Sequence, residues 1–226
     1  MREALELILL KVSQKPDIDK GDLAKASRLI IKSVCEGLEI TRAGIWLYND
    51  SQSHIQCRLL IDKGNDLEDE SLALSRDDFP HYFSALDSER TIAANDAMTH
   101  PATFEFADVY LAPLHINSML DVPIRHRGKM IGIICCEHQG PAREWTPDEL
   151  VFAATLADLY GRAISANERA LYEAKLIEAN QTLENNVKAR TAELQAALST
   201  LEQAQEKLVE SEKMAALGNL VAGIAH

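Results

Sequence analysis

Residues 119–157 read MLDVPIRHRGKMIGIICCEHQGPAREWTPDELVFAATLA. Within them, Ser118–Ile124 and Lys129–Glu137 flank a basic turn, Arg125–Gly128, and this predicts two adjoining strands. The second strand contains MIGIICC, residues 130–136, which is apolar without alternation. Such a strand is buried on both faces, so it belongs at the centre of a sheet that is covered on both sides. Thr146-Pro147-Asp148-Glu149 then forms a capping box with proline at the first helical position. The Thr146 hydroxyl can accept from the Glu149 amide while the Glu149 side chain reaches back. Leu150, Phe152 or Ala153, Leu156, Leu159, Tyr160 and Ala163 supply the apolar face of the helix that follows.

Upstream, Arg2–Ser13 and Lys20–Leu38 predict two helices, and in the second Leu23, Ala26, Ile30, Ile31 and Val34 share one stripe. AGIWLYN, Ala43–Asn49, reads as a strand with Ser53–Ile61 as its partner across the polar turn Asp50-Ser51-Gln52. Asp77–Leu86 predicts a short helix, Thr91–Ala94 a short strand, and Ala102–Leu111 a helix or irregular segment. The flanking helices can cover one sheet face. The less regular stretch between Leu67 and Asn117 is left for the other, where it could enclose a pocket.

Downstream the composition changes. All seven prolines lie at or before Pro147, and after it the glycines are Gly161, Gly218 and Gly223. All five Phe and both Trp precede residue 153, and the remainder is rich in Ala, Leu, Glu, Gln and Lys, residues cheap to place in a long helix. The 226-residue chain is 46% apolar with a formal charge of −12, which speaks against nucleic acid as a partner. No run of 18 apolar residues offers a transmembrane span, and MREALELILLKVSQK reads as a helix rather than a signal peptide. The four cysteines, at 35, 57, 135 and 136, form no metal-type C-x-x-C pair and read as reduced thiols of a cytoplasmic protein. Alternation sends Cys135 and Cys136 to opposite faces of the sheet, and burial is expected for both rather than redox sensing.

The VPI of Val122–Ile124, the basic turn, the GxIxxEH of Gly132–His138 and the R-x-W-T-x-x-E of Arg143, Trp145, Thr146 and Glu149 resemble the closing part of a GAF domain. With AGIWLY upstream, the resemblance covers about residues 5–165. It implies an α+β fold: an antiparallel sheet with helices on both faces, followed here by a long helix. Members of that family bind cyclic nucleotides, haem, bilins or small metabolites, and some bind nothing, so the fold does not name the ligand. Bilin-binding relatives attach the chromophore through a cysteine, commonly in a Cys-His pair, and no cysteine here precedes a histidine. His81, His100 and His115 fall in the region where a haem ligand would lie, although loop histidines are commonly plain surface residues. Pocket candidates are Asp96, Phe104, Phe106, Tyr110, His115 and Asp121, set against Phe104 and Phe106 as core, Asp96 as a loop cap and His115 as exposed.

In the helical region, Val187, Leu194, Leu201, Leu208 and Ala215 recur every seven residues. Thr191 and Leu198, or Arg190, Ala197 and Ala204, interleave with them, and Leu176 and Leu183 are four residues out of phase with Val187, a stutter. A parallel homodimeric coiled coil is the simplest expectation, with polar seam positions that would allow two packings of similar energy. LENNVKARTAEL, Leu183–Leu194, resembles linker helices that precede kinase phospho-acceptor helices, and SEKMAALGNLVAGIAH, Ser211–His226, resembles the start of such a helix in sensor histidine kinases. Met214, Leu217, Leu220 or Val221, and Ile224 form its core stripe, with His226 about 200° from Ile224 and so pointing outward. The resemblance implies that His226 is the phospho-acceptor, since an ordinary imidazole of pKa about 6.5 is mostly neutral at neutral pH and able to attack a phosphoryl group. It also implies ATP and Mg²⁺ for a longer parent protein, and a response regulator or receiver domain as partner. No G-x-x-x-x-G-K-[ST] loop is present, so this stretch is not expected to phosphorylate itself. The expected organisation is a sensor domain at 1–165, a coiled-coil helix at 166–213 and the start of a phospho-acceptor helix at 214–226. The competing expectations are a ligand-free GAF and coiled-coil scaffold, or a GAF regulator of another output such as a cyclase.

Overall fold

A computed structural model describes residues 2–63, 67–69, 71–88 and 91–224, with 67–69 and 216–224 described by their backbone alone. It divides into two compact units, Met1–Leu171 and Tyr172–His226.

The first unit opens with three helices: α1 (Arg2–Ser13), α2 (Pro16–Asp19) and α3 (Leu23–Gly37). The helix expected over Lys20–Leu38 begins at Leu23 instead. Gly21 takes a left-handed φ of 70°, and the Asp22 carboxylate accepts from the Lys25 amide at 3.1 Å as an N-cap. The strands are β1 (Arg42–Tyr48), β2 (His54–Asp62), β3 (Leu67–Asp69), β4 (Ala73–Ser75), β5 (Ile92–Ala94), β6 (Ile116–His126) and β7 (Lys129–Gln139). Helix α4 (Pro80–Ser88) lies between β4 and β5. The stretch expected to be helical or irregular is a 3-10 turn, Phe104–Phe106, running into a π turn, Ala107–Leu111. Helix α5 runs Pro147–Ile224.

The strands form one antiparallel sheet in the order β3-β2-β1-β7-β6-β5, with β4 also pairing β2. The unalternating strand β7 sits between β1 and β6, as its apolar run requires. Gly132 is needed there: a Cβ at that position would lie 2.1 Å from the Trp46 carbonyl oxygen of β1.

Alternation splits the interior into two cores. Ala43, Ile45, Leu120, Val122, Ile124, Ile134 and Cys136 pack with α1, α3 and the start of α5. Trp46, Ile55, Met119, Ile133 and Cys135 pack with α4 and the 3-10 and π turns. A bulge passes Leu59 to the first core while leaving Cys57 in the second, since Ile45 pairs Leu59 and Trp46 pairs Cys57. The capping box forms as expected: the Thr146 amide donates to Glu149 Oε2 at 2.8 Å and the Glu149 amide to Thr146 Oγ1 at 3.3 Å. Arg143 pairs with the Glu149 carboxylate, donates to the Leu38 carbonyl at 3.0 Å and lies 4.7 Å over the Trp145 ring. The R-x-W-T-x-x-E motif therefore fastens the end of α3 to the start of α5.

The second unit is helix. Leu176, Leu183, Val187, Leu194, Leu201, Leu208 and Met214 are each more than half exposed in the single chain. His226 lies outside the described residues, and so do the side chains of Leu217, Leu220, Val221 and Ile224. Among the described residues no helix is long and apolar enough to cross a membrane.

Candidate functional site

On the α4 side of the sheet lies a cavity of about 280 Å³. Its floor is the strand face that carries Trp46 on β1, Ile55 on β2, Met119 on β6, and Ile133, Cys135 and Glu137 on β7. Its walls come from Ala73 and Leu74 of β4, from Phe79 and Tyr82 at α4, and from Phe106, Val109 and Tyr110 of the 3-10 and π turns. Phe106 is the hub of the wall, with its ring centroid 4.6 Å from that of Phe79 and 4.8 Å from that of Tyr82. Tilted and edge-on pairs at such distances are favourable and fix ring positions.

At one end of the cavity the lining becomes polar. Arg42, on β1, is buried and fully engaged: Nε donates to Glu137 Oε2 at 2.5 Å, Nη1 to Asp62 Oδ2 at 2.7 Å and Nη2 to the Tyr110 hydroxyl at 3.0 Å. The Tyr110 hydroxyl in turn donates to Glu137 Oε1 at 2.7 Å. Asp62 and Glu137 are the last residue of β2 and a late residue of β7, and β1 carries Arg42 between those strands, so antiparallel register brings the three charges together. Burial pushes the Glu137 carboxyl above its usual range, and Arg42 opposes the shift. Burial also pushes the Tyr110 hydroxyl upward, with the Glu137 charge adding to it.

One layer away, Tyr82 donates to Asp121 Oδ2 at 2.7 Å. Asp121 is fully buried, and its Oδ1 has no hydrogen-bond partner among the described residues. Burial raises its pKa to about 7, against the lowering effect of Cys135 and Tyr82. The Cys135 thiol lies 3.7 Å from Glu137 Oε1, and burial first, then the nearby Asp121 and Glu137 charges, push its pKa far up. It is held as a thiol, which is a poor nucleophile.

The structure brings Phe106 and Tyr110 to the cavity and sets Asp121 beside it through Tyr82. It places the other candidates elsewhere. Asp96 accepts from the Met98 amide at 3.1 Å, closing its own loop. Phe104 is 44% exposed, its ring 5.2 Å from that of His81. His115 is exposed at a positive φ of 55°. None of the three candidate haem histidines lines the cavity: His81 pairs with Glu105, and His100 Nδ1 accepts from the Ala102 amide. Sequence reasoning did not single out Trp46, Phe79, Tyr82, Arg42, Asp62 or Glu137. The available signal was a charge next to an apolar run in each of three strands: Arg42 before AGIWLY, Asp62 after LLI and Glu137 after MIGIICC.

A family model for the GAF domain matches residues 22–164. Among solved structures, the GAF domain of a phosphoenolpyruvate-protein phosphotransferase from Coxiella burnetii is 19% identical, with a TM-score of 0.56 over 75% of this chain and 95% of that one. A methyl-accepting chemotaxis protein fragment is 17% identical, with a TM-score of 0.57 over 72% of this chain and 98% of that one. The blue-light absorbing form of the Thermosynechococcus elongatus PixJ GAF domain is 15% identical, with a TM-score of 0.57 over 74% of this chain and 97% of that one. At these identities the likeness is one of fold. No curated protein matches the sequence.

Proposed function

The chain belongs to the GAF domain family, whose fold is also found in signalling proteins such as a methyl-accepting chemotaxis protein, and from that premise we propose that it is the sensory and dimerisation part of a two-component sensor histidine kinase. In this reading the cavity receives a small molecule. Two chains pair in parallel through the second unit, and the helix passes the signal to the phospho-acceptor His226. A response regulator or receiver domain takes the phosphoryl group, and ATP with Mg²⁺ is supplied by a kinase domain outside this chain.

The observation that carries the reading is the continuity of α5. One helix, Pro147–Ile224, contributes Leu156, Tyr160 and Ala163 to the sensor core and runs on into the GNLVAGI sequence of the phospho-acceptor resemblance. A helix transmits rotation or translation along its axis because its hydrogen bonds are all internal, so a packing change at one end biases packing at the other. The exposed heptad positions Val187, Leu194, Leu201 and Leu208 support a second copy as partner, because an apolar stripe of that length is costly in water. The cavity weighs against a ligand-free scaffold.

The test is the phosphorylation state of the protein isolated from its cells under alkaline conditions. Acid-labile phosphate on His226, lost in His226→Gln, is expected. Its absence from stimulated and resting cells alike overturns the kinase assignment. Light scattering at micromolar concentration should give twice the 25.0 kDa chain mass. Leu201→Asp should reduce it to one chain mass, and a monomeric wild type would remove the dimer from the scheme.

A further inference from the structure

We propose that the ligand of this cavity is a small organic cation, an ammonium group bearing apolar substituents; the inference rests on reading the cavity as the sensory pocket. In a chain that is 5% aromatic, five of the thirteen described lining residues are Trp46, Phe79, Tyr82, Phe106 and Tyr110. Ring faces attract a desolvated cation through their quadrupoles, and a group of rings around one space is how quaternary ammonium ions are held.

The charge around the cavity points the same way. Glu137 is the charged residue in the described lining, and no Lys, Arg or His accompanies it there. Asp121 and Glu137 lie buried on this side of the sheet, and the guanidinium nearest them, Arg42, is shared between Glu137 and Asp62. All three Arg42 nitrogens are already hydrogen-bonded. An incoming cation offsets the surplus of acid, whereas an anion would enlarge it inside a low-dielectric space. The nearest helix start offers an anion nothing either, because the Glu105 carboxylate already accepts from the Tyr82 amide at 3.0 Å. Phosphate-bearing ligands, cyclic nucleotides among them, are therefore disfavoured.

Size and hydrogen bonding narrow the class further. A volume of about 280 Å³ is at the small end for ligand pockets, which run roughly 300–1,000 Å³. Glu137 Oε1 and Oε2 already accept from Tyr110 and Arg42, so a ligand with several N–H donors would leave some unmatched. A tertiary or quaternary ammonium has few such donors or none.

Calorimetric titration of the full chain with choline, tetramethylammonium and 3,3-dimethylbutan-1-ol tests the charge directly, because the alcohol has the shape of choline without its charge. Choline is expected to bind at least about tenfold more tightly than the alcohol. Phe79→Leu keeps apolar volume but removes a ring, and should weaken choline several-fold while leaving the alcohol unchanged. If the alcohol, or indole as a neutral aromatic probe, binds as well as the cations do, the cation inference is overturned and the pocket reading stands. If none of the four probes binds, the pocket reading falls with it.

Discussion

The two faces of the sheet are built from the same seven strands and hold opposite interiors. The face under α1, α3 and α5 is closed and apolar, filled by residues such as Ile30, Ile31, Ile45, Val122, Phe152 and Leu156. Its helices come close because glycine permits it: a Cβ on Gly37 would meet the Phe152 ring at 2.3 Å, and one on Gly161 the Arg125 carbonyl at the same distance. The other face is covered by a nine-residue helix and a 3-10 and π turn. The buried charges Arg42, Asp62, Asp121 and Glu137 lie on that side, and so does the cavity. Alternation at period two lets one strand serve both purposes, because consecutive residues never meet the same environment. Long helices present continuous ridges that fill a face, whereas short irregular pieces leave a space that side chains do not fill.

Four substitutions can break or sharpen this contrast. Arg42→Met would leave Asp62 and Glu137 buried without their cation, at a cost of about 3–5 kcal/mol in urea unfolding. A loss well under ~1 kcal/mol would show that the charged cluster does not hold the cavity face together. On the closed face, Phe152→Ala should cost a similar ~3–5 kcal/mol, since the ring is fully buried against α3. An unchanged urea midpoint would deny that face its tight packing.

Next in size is a pH effect confined to the cavity face. The folded Asp121 carboxyl titrates at about 7, above its ordinary 3.8. Below pH ~4 it is protonated in both states; between ~4 and ~7 the folded chain keeps a proton that the unfolded chain releases. Stability therefore falls as pH rises through that window, by on the order of 2–4 kcal/mol, and levels off above it. Asp121→Asn should flatten the urea midpoint between about pH 5 and pH 8, with a residual slope from Glu137, whose shift has the same sign. An unaltered slope in Asp121→Asn would assign the effect elsewhere. The smallest effect belongs to Met119→Leu at the cavity floor, a volume-conserving change expected to cost less than about 1.5 kcal/mol.

The closed face was legible in the sequence because it rests on local patterns. The unalternating MIGIICC placed β7 at the centre, TPDE placed the start of α5, and Arg2–Ser13 fell where α1 forms. The cavity face was legible only as a region. Of the six candidates named together from that region, Phe106 and Tyr110 line the cavity and Asp121 lies beside it, while Asp96, Phe104 and His115 have local or exposed roles. The charged cluster was missed because Arg42, Asp62 and Glu137 are far apart in sequence, and a charge at a strand end ordinarily faces water. Only the pairing of β1 with both β2 and β7 converts three such ends into one buried group. The three-residue strands β3 and β4 have too few positions to show a period.

Cys135 and Cys136 are neighbours in sequence, yet they belong to different cores, and both are buried thiols. A small alkylating reagent reaches Cys136 only when its side of β7 opens, whereas Cys135 lines the cavity and can also be approached through it, so the pair reports on the two faces of the native state through two separate channels. If the whole domain unfolds, both channels run at one rate. If α4 and the π turn lift away alone, Cys135 reacts and Cys136 stays silent. A molecule seated in the cavity would slow the first channel and leave the second unchanged.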